Sequence, residues 1–262
     1  MKNSIVRTSN HTYVFTAFFF FLLLSSCLTS NDVFDSPYGV PPEHASYIPA
    51  RIAIAPCQAW PHGARFSELP LSNIVTGDLE ALCKKMDAFV LDGFKNQPFM
   101  KGYSPEGVRR FLTQNNTPDL LDKSQDIWKH LPSDCSSCKT FPAFYLQSIA
   151  NRQDWRMWLD TFSKSVKKAD AVLLPFIGYA YQKSFNDRGL LISLKAGNAV
   201  ILLVDTGTAT LLWSGGRETT VNTQRLESSD VSKPLDPPPW NDLWDRLFTE
   251  DLWKDFPGRQ VF

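Results

Sequence analysis

The chain of 262 residues carries 27 basic and 27 acidic side chains and four histidines, a formal net charge of zero. That balance excludes a polybasic nucleic-acid or membrane-surface protein. The length suits one large domain, or one domain with an appendage.

The first 26 residues are read as a signal peptide rather than as part of a fold. Lys2 and Arg7 precede an apolar run, Val14–Leu24, and no acidic residue occurs before Asp32. The run is too short to span a bilayer as a stable helix. It ends in Leu24-Ser25-Ser26-Cys27, which resembles the lipobox of bacterial lipoproteins. The resemblance implies diacylglyceryl transfer to the Cys27 sulfur, cleavage before it, and acylation of the new N-terminus. Three acyl chains such as palmitate would then anchor the protein, where one chain holds only marginally. The alternative is an ordinary cleaved signal followed by an accidental cysteine, but Leu24 violates its small-residue rule. Leu28 takes the place of the Asp that retains enterobacterial lipoproteins in the inner membrane. That favours the outer membrane, facing the periplasm or the cell surface.

Residues 27–50 form a tether rich in Ser, Pro, Asp and Asn. Arg51–Pro56 reads as a short buried strand that opens an α/β domain over 51–227, and 57–72 as a loop. Asp78–Lys95 has apolar residues three and four apart and is the clearest helix. Ser104-Pro105-Glu106 is a helix start, with an N-cap, a first-turn proline and an acid against the dipole. That helix should reach about Thr113. Asn115–Pro142 reads as an irregular insertion holding one short helix near 119–129. Asp154–Lys168 is a further amphipathic helix, with Trp155, Trp158, Leu159, Phe162 and Val166 on its inner side.

Four strands follow in the β-rich centre: about 170–181, 189–195, 199–204 and 209–214. Gly197-Asn198 is a two-residue hairpin signal and Asp205–Thr208 a second turn. A proline-rich linker and a C-terminal aromatic helix, Trp240–Phe256, occupy 228–262. So much apolar surface should dock, either on its own domain or on a partner. The fold class is therefore α/β: a mixed sheet with a C-terminal antiparallel meander and packed amphipathic helices.

The run Ala169–Leu174, followed by Ile201–Asp205, Thr208 and Trp213, resembles a pattern of periplasmic lipoproteins. These include the curli-secretion lipoprotein, the outer-membrane activators of penicillin-binding proteins, and the N-terminal domain of the Tol-system β-propeller protein. The chain departs from the pattern at Gly207, which precedes Thr208, and at Pro175-Phe176, where glycine is frequent. The resemblance implies a fold and a cellular setting, since those relatives have quite different jobs.

No P-loop, dinucleotide glycine pattern, G-x-S-x-G or H-x-x-x-H spacing is present, so no catalytic, cofactor or metal residue is assigned. Asp205-Thr206-Gly207-Thr208 has the form of an aspartic-protease turn. One copy serves only in a symmetric dimer, and a plain turn explains the same residues. Beyond Cys27 the cysteines are Cys57, Cys83, Cys135 and Cys138, an even number in an oxidising compartment. Cys135-Ser-Ser-Cys138 lies in a loop and is expected to be a local disulfide, with thiol redox chemistry or metal binding as alternatives. Cys57 and Cys83 can pair, or Cys83 can be a core residue. The eight tryptophans invite a glycan-binding module, though Trp155, Trp158 and Trp213 have better places in the core.

The function expected is therefore that of a non-enzymatic lipoprotein that binds or regulates another envelope component, or self-associates, without nucleic acid. A dimeric protease using Asp205, a redox protein using Cys135 and Cys138, and a glycan-binding module are the alternatives.

Overall fold

The computed structural model describes residues 48–59, 75–76 (backbone), 79–94, 100–129, 141–226 and 235–258. Strands β1 (Arg51–Ile54), β2 (Gln58–Ala59), β3 (Val75–Thr76), β4 (Lys101–Tyr103), β5 (Ala171–Asp187), β6 (Leu190–Asp205) and β7 (Leu211–Leu226) form one mixed sheet. Its order is β4-β1-β5-β6-β7, with β2 and β3 also pairing with β5. The β1 strand runs parallel to both β4 and β5, whereas β5, β6 and β7 are an antiparallel meander. The mixed α/β class expected from the sequence is the one observed.

Helices cover both faces, so Ala171–Ile177 of β5 and Ala199–Val204 of β6 are apolar on every residue rather than alternating. On one face Val172, Leu174, Phe176, Val200, Leu202 and Val204 meet α2 (Pro105–Gln114), α3 (Leu120–Lys129), α4 (Phe141–Phe144) and α5 (Gln153–Ser165). The α4 helix passes directly into a wider π-helical segment, Tyr145–Ile149. On the other face Ala171, Leu173, Ile177, Ala199, Ile201 and Leu203 meet α1 (Leu79–Phe94) and α6 (Trp240–Leu247). Each helix buries its own stripe. In α1 this is Leu82, Met86 and Val90, four residues apart. In α5 it is Trp155, Trp158, Leu159 and Phe162. Ser104 caps α2 as expected, its Oγ accepting from the Gly107 N–H at 3.1 Å.

The structure corrects several expectations. Gly197-Asn198 is not a hairpin, because β6 runs straight through it from Leu190 to Asp205. Gly197 is where α6 presses closest: a Cβ there would stand 3.3 Å from Leu243 and 3.6 Å from Leu247. The real turn is Arg188-Gly189, both with positive φ (53° and 83°), the two-residue form whose twist matches a hairpin. The four expected strands are thus three longer ones. Strands β2 and β4 are too short to show a pattern, and the helical segment from Phe141 to Ile149 lay where no helix was expected. The aromatic C-terminal helix is interrupted, with α6 ending at Leu247 and a separate 3-10 turn at Glu250–Trp253. It docks on its own sheet.

Candidate functional site

The residues that carry the motif resemblance turn out to hold the sheet together. Asp170 accepts from the Arg51 backbone N–H (2.9 Å) and from the Arg51 guanidinium (2.6 and 3.3 Å), which latches β1 to the start of β5. The Arg51 guanidinium holds the Asp170 carboxyl below its ordinary value. At the same end of the sheet, where β6 finishes opposite Ala171, Asp205 Oδ1 accepts from Gly207 N (2.9 Å), Thr208 N (2.7 Å) and Thr208 Oγ1 (2.9 Å). One carboxylate oxygen thus satisfies a whole turn. Thr206 Oγ1 reaches across to the carbonyls of Ala169 and Asp170 at 2.7 and 3.0 Å.

The same turn is pinned from the core. Ala209 has a φ of 61°, and its carbonyl accepts a 2.6 Å bond from the buried Tyr145 hydroxyl. That hydroxyl in turn accepts from Trp155 Nε1 at 3.0 Å. Burial pushes the Tyr145 phenol above its ordinary value, so it remains a donor. The geometry around Asp205 is that of a braced turn.

Cys57 and Cys83 are joined in a disulfide that ties the end of β1 to α1. Asp87, one turn further along α1, accepts from the Cys57 N–H at 2.7 Å. Cys27, Cys135 and Cys138, with the tether, the lipobox and His44, His62 and His130 (all but residues 48–50 of the tether), lie outside the described residues. Among the described residues no group of three His, Cys, Asp or Glu could hold a metal, and no helix is long and apolar enough to cross a membrane.

Of the seven described tryptophans, six are buried: Trp128, Trp155, Trp158, Trp213, Trp244 and Trp253. Trp240 is half-buried, stacked on Trp244 at 5.0 Å between centroids. Lys195 Nζ lies 4.5 Å from the Trp240 ring centroid and donates to the Pro238 carbonyl at 2.5 Å. Burial lowers the Lys195 pKa from its ordinary value, while Asp242 raises it. A lysine only 4% exposed in the middle of a strand thus helps to fasten the C-terminal segment. Its place inside LISLKAGNAV is ambiguous from sequence, since period two puts it on the same face as Ser193.

Two surfaces stand out that residue patterns did not reveal. Beyond the helices, β5–β7 continue as a three-stranded ribbon. The register places Phe185, Leu190, Ile192, Leu194 and Leu226 on one face. Leu226 is 75% exposed and Phe185 38%. At the root of this face Tyr179 donates a short hydrogen bond to Glu218. Burial, with Glu218 adding to it, raises the Tyr179 pKa. The second surface is a groove of about 440 Å³ beside β7, lined by Thr220–Thr223, Pro238, Pro239, Asp242, Asp245 and Arg246.

No family model and no curated protein matches the chain. Among solved structures it is similar to the crystal structure of lipoprotein GNA1162 from Neisseria meningitidis. The identity is 15%, the match covers 71% of this chain and 88% of that one, and the TM-score is 0.32. So slight a likeness supports no inference about fold or function.

Proposed function

We propose that this chain is a lipid-anchored binding protein of the bacterial envelope, held through acylated Cys27 at the outer membrane and acting on another envelope component. The observation that carries the reading is the Cys57–Cys83 bond. Structural disulfides form and persist in oxidising compartments, and that is where a signal peptide ending in Leu-Ser-Ser-Cys would deliver the chain. The overhanging ribbon supports a binding role, because it presents Phe185 and Leu226 to solvent beyond the covered part of the sheet.

Metabolic labelling with an alkynyl fatty acid, followed by detergent-phase partition, tests the anchor. Label and detergent partition are expected for the wild type, and neither for Cys27→Ala. Label persisting on Cys27→Ala, or a wild type that stays unlabelled and aqueous, refutes the reading.

A further inference from the structure

Among the described residues no strand pairs with the outer edge of β7. Alternate residues of such an edge turn their N–H and C=O groups away from the neighbouring strand, here β6. Along Thr220–Thr223 this free edge lines the 440 Å³ groove. The segment is Thr-Val-Asn-Thr, β-branched at three of four positions and suited to extended pairing.

The facing wall is held in place. Thr223 Oγ1 donates to the Asp236 carbonyl at 2.7 Å, and Lys195 donates to that of Pro238. Pro238 and Pro239 have no N–H, so this wall cannot itself complete the ladder on β7. The α6 helix is fixed by Leu243, Trp244 and Leu247 in the core. Its rotation sends Asn241 toward α1, where it accepts from Lys85 at 2.9 Å. It sends Asp242, Asp245 and Arg246 toward the groove, so two carboxylates face one guanidinium there.

We infer that this groove takes an extended peptide segment of a partner protein, added to β7 as a further strand, with Lys or Arg side chains reaching Asp242 and Asp245. The inference rests on the proposed binding role and names its surface. Main-chain hydrogen bonds to the free edge supply affinity in such strand addition, and flanking side chains supply selection. Lys195, the further cation in reach of Asp242, is buried beneath Pro238 and Trp240 and is not on the lining, so the carboxylates that outnumber Arg246 there select a basic segment over an acidic one.

Fluorescence anisotropy on the full chain, purified in detergent whether or not it is acylated, tests this with three labelled octapeptides: four Thr-Lys repeats, four Thr-Glu repeats, and the Thr-Lys peptide N-methylated at alternate residues. The Thr-Lys peptide should bind, and the Thr-Glu peptide roughly tenfold more weakly, the scale of two exposed ion pairs. N-methylation should abolish binding, because it removes the ladder donors and leaves the charge. Asp242→Lys with Asp245→Lys should reverse the preference, with thermal unfolding confirming that the variant is folded. The proposal is overturned if the Thr-Lys peptide fails to bind, if the methylated peptide binds equally, or if charge reversal changes nothing. It is also overturned if binding emerges only after residues 227–234 are replaced by Gly-Ser repeats, since the groove then belongs to the chain's own segment. None of these outcomes depends on fatty-acid labelling of Cys27, so failure of the groove and failure of the anchor are read separately.

Discussion

The backbone N–H of Cys57 donates a 2.7 Å hydrogen bond to Oδ1 of Asp87, one helical turn beyond the cysteine to which Cys57 is covalently joined. Burial raises the Asp87 carboxyl above its ordinary value, against the pull of the Cys57 N–H and of Arg109. A raised carboxyl keeps its proton in the folded state at pH values where the unfolded chain has lost it. Its favourable contribution is therefore complete below the unfolded value of 3.8 and is lost as pH rises through the folded one. Asp87→Asn keeps an oxygen for Cys57 and carries no charge. Its stability relative to wild type should climb as pH rises above 3.8 and level off once the folded-state Asp87 has also lost its proton, measured by urea unfolding. Asp87→Ala leaves the half-buried Cys57 N–H without this acceptor and should cost about 1 kcal/mol. A gap between wild type and Asp87→Asn that widens in favour of wild type toward neutral pH contradicts the sign.

The disulfide beside it joins residues 26 apart. Closing a loop of that length restricts the unfolded chain by about 3.5 kcal/mol in the chain-entropy treatment. Cys57→Ser with Cys83→Ser should lower the urea midpoint accordingly. Alkylation mass spectrometry of exported wild type without reductant should leave both cysteines unlabelled. Free alkylation of both would remove the main support for an oxidising compartment.

Two substitutions at the braced turn should differ in size for a physical reason. Asp205→Asn retains the oxygen that accepts from Gly207 and Thr208 and loses only its charge, so roughly 0.5–1.5 kcal/mol is at stake. Tyr145→Phe deprives the buried Ala209 carbonyl of its donor and Trp155 Nε1 of its acceptor, and should cost about 1–3 kcal/mol for each group left unpaired. Urea unfolding of both variants checks the order. Peptide cleavage at acidic pH by wild type, absent in Asp205→Asn, would instead give the carboxylate a chemical role.

What was legible in the sequence is what repeats. The α1 stripe of Leu82, Met86 and Val90 recurs every four residues, the Ser104 cap follows from the Ser-Pro-Glu start, and the strand-rich centre follows from its apolar runs, though not its number of strands. Glycine was not legible, because it marks both a turn and a close approach. Gly189 in DRG serves the first purpose and Gly197 in AGNA the second, and only the presence of α6 above Gly197 separates them. The Cys57–Cys83 pairing and the groove beside β7 depend on residues far apart in the chain, which no local pattern brings together. The Asp205 turn was legible as a turn, while its brace from Tyr145, 64 residues away, was not.

The C-terminal segment sets the last prediction. Leu243, Trp244 and Leu247 of α6, with Leu252, Trp253 and Phe256 beyond it, are all buried. They close over Trp213, Val221 and Ala199 on the sheet and over Phe94 of α1. Trp213 stacks on Trp253 at 5.9 Å and donates to the Lys254 carbonyl at 3.0 Å, while Phe89 meets Phe248 at 5.7 Å. Truncation after Ser232 uncovers this face and also strips Lys195 of the Pro238 carbonyl and the Trp240 ring. A single buried Leu or Phe is worth about 1.5–3 kcal/mol, so losing six large side chains removes about 9–18 kcal/mol, as much as the whole stability of an ordinary domain, about 5–15 kcal/mol. The truncated protein should fail to give a cooperative urea transition and should aggregate. Leu247→Ala is the milder arm of the experiment, with an expected loss of about 2–5 kcal/mol and an unchanged oligomeric state. A truncated chain that unfolds at the wild-type urea midpoint would show that this segment is dispensable to the core and free to engage another molecule.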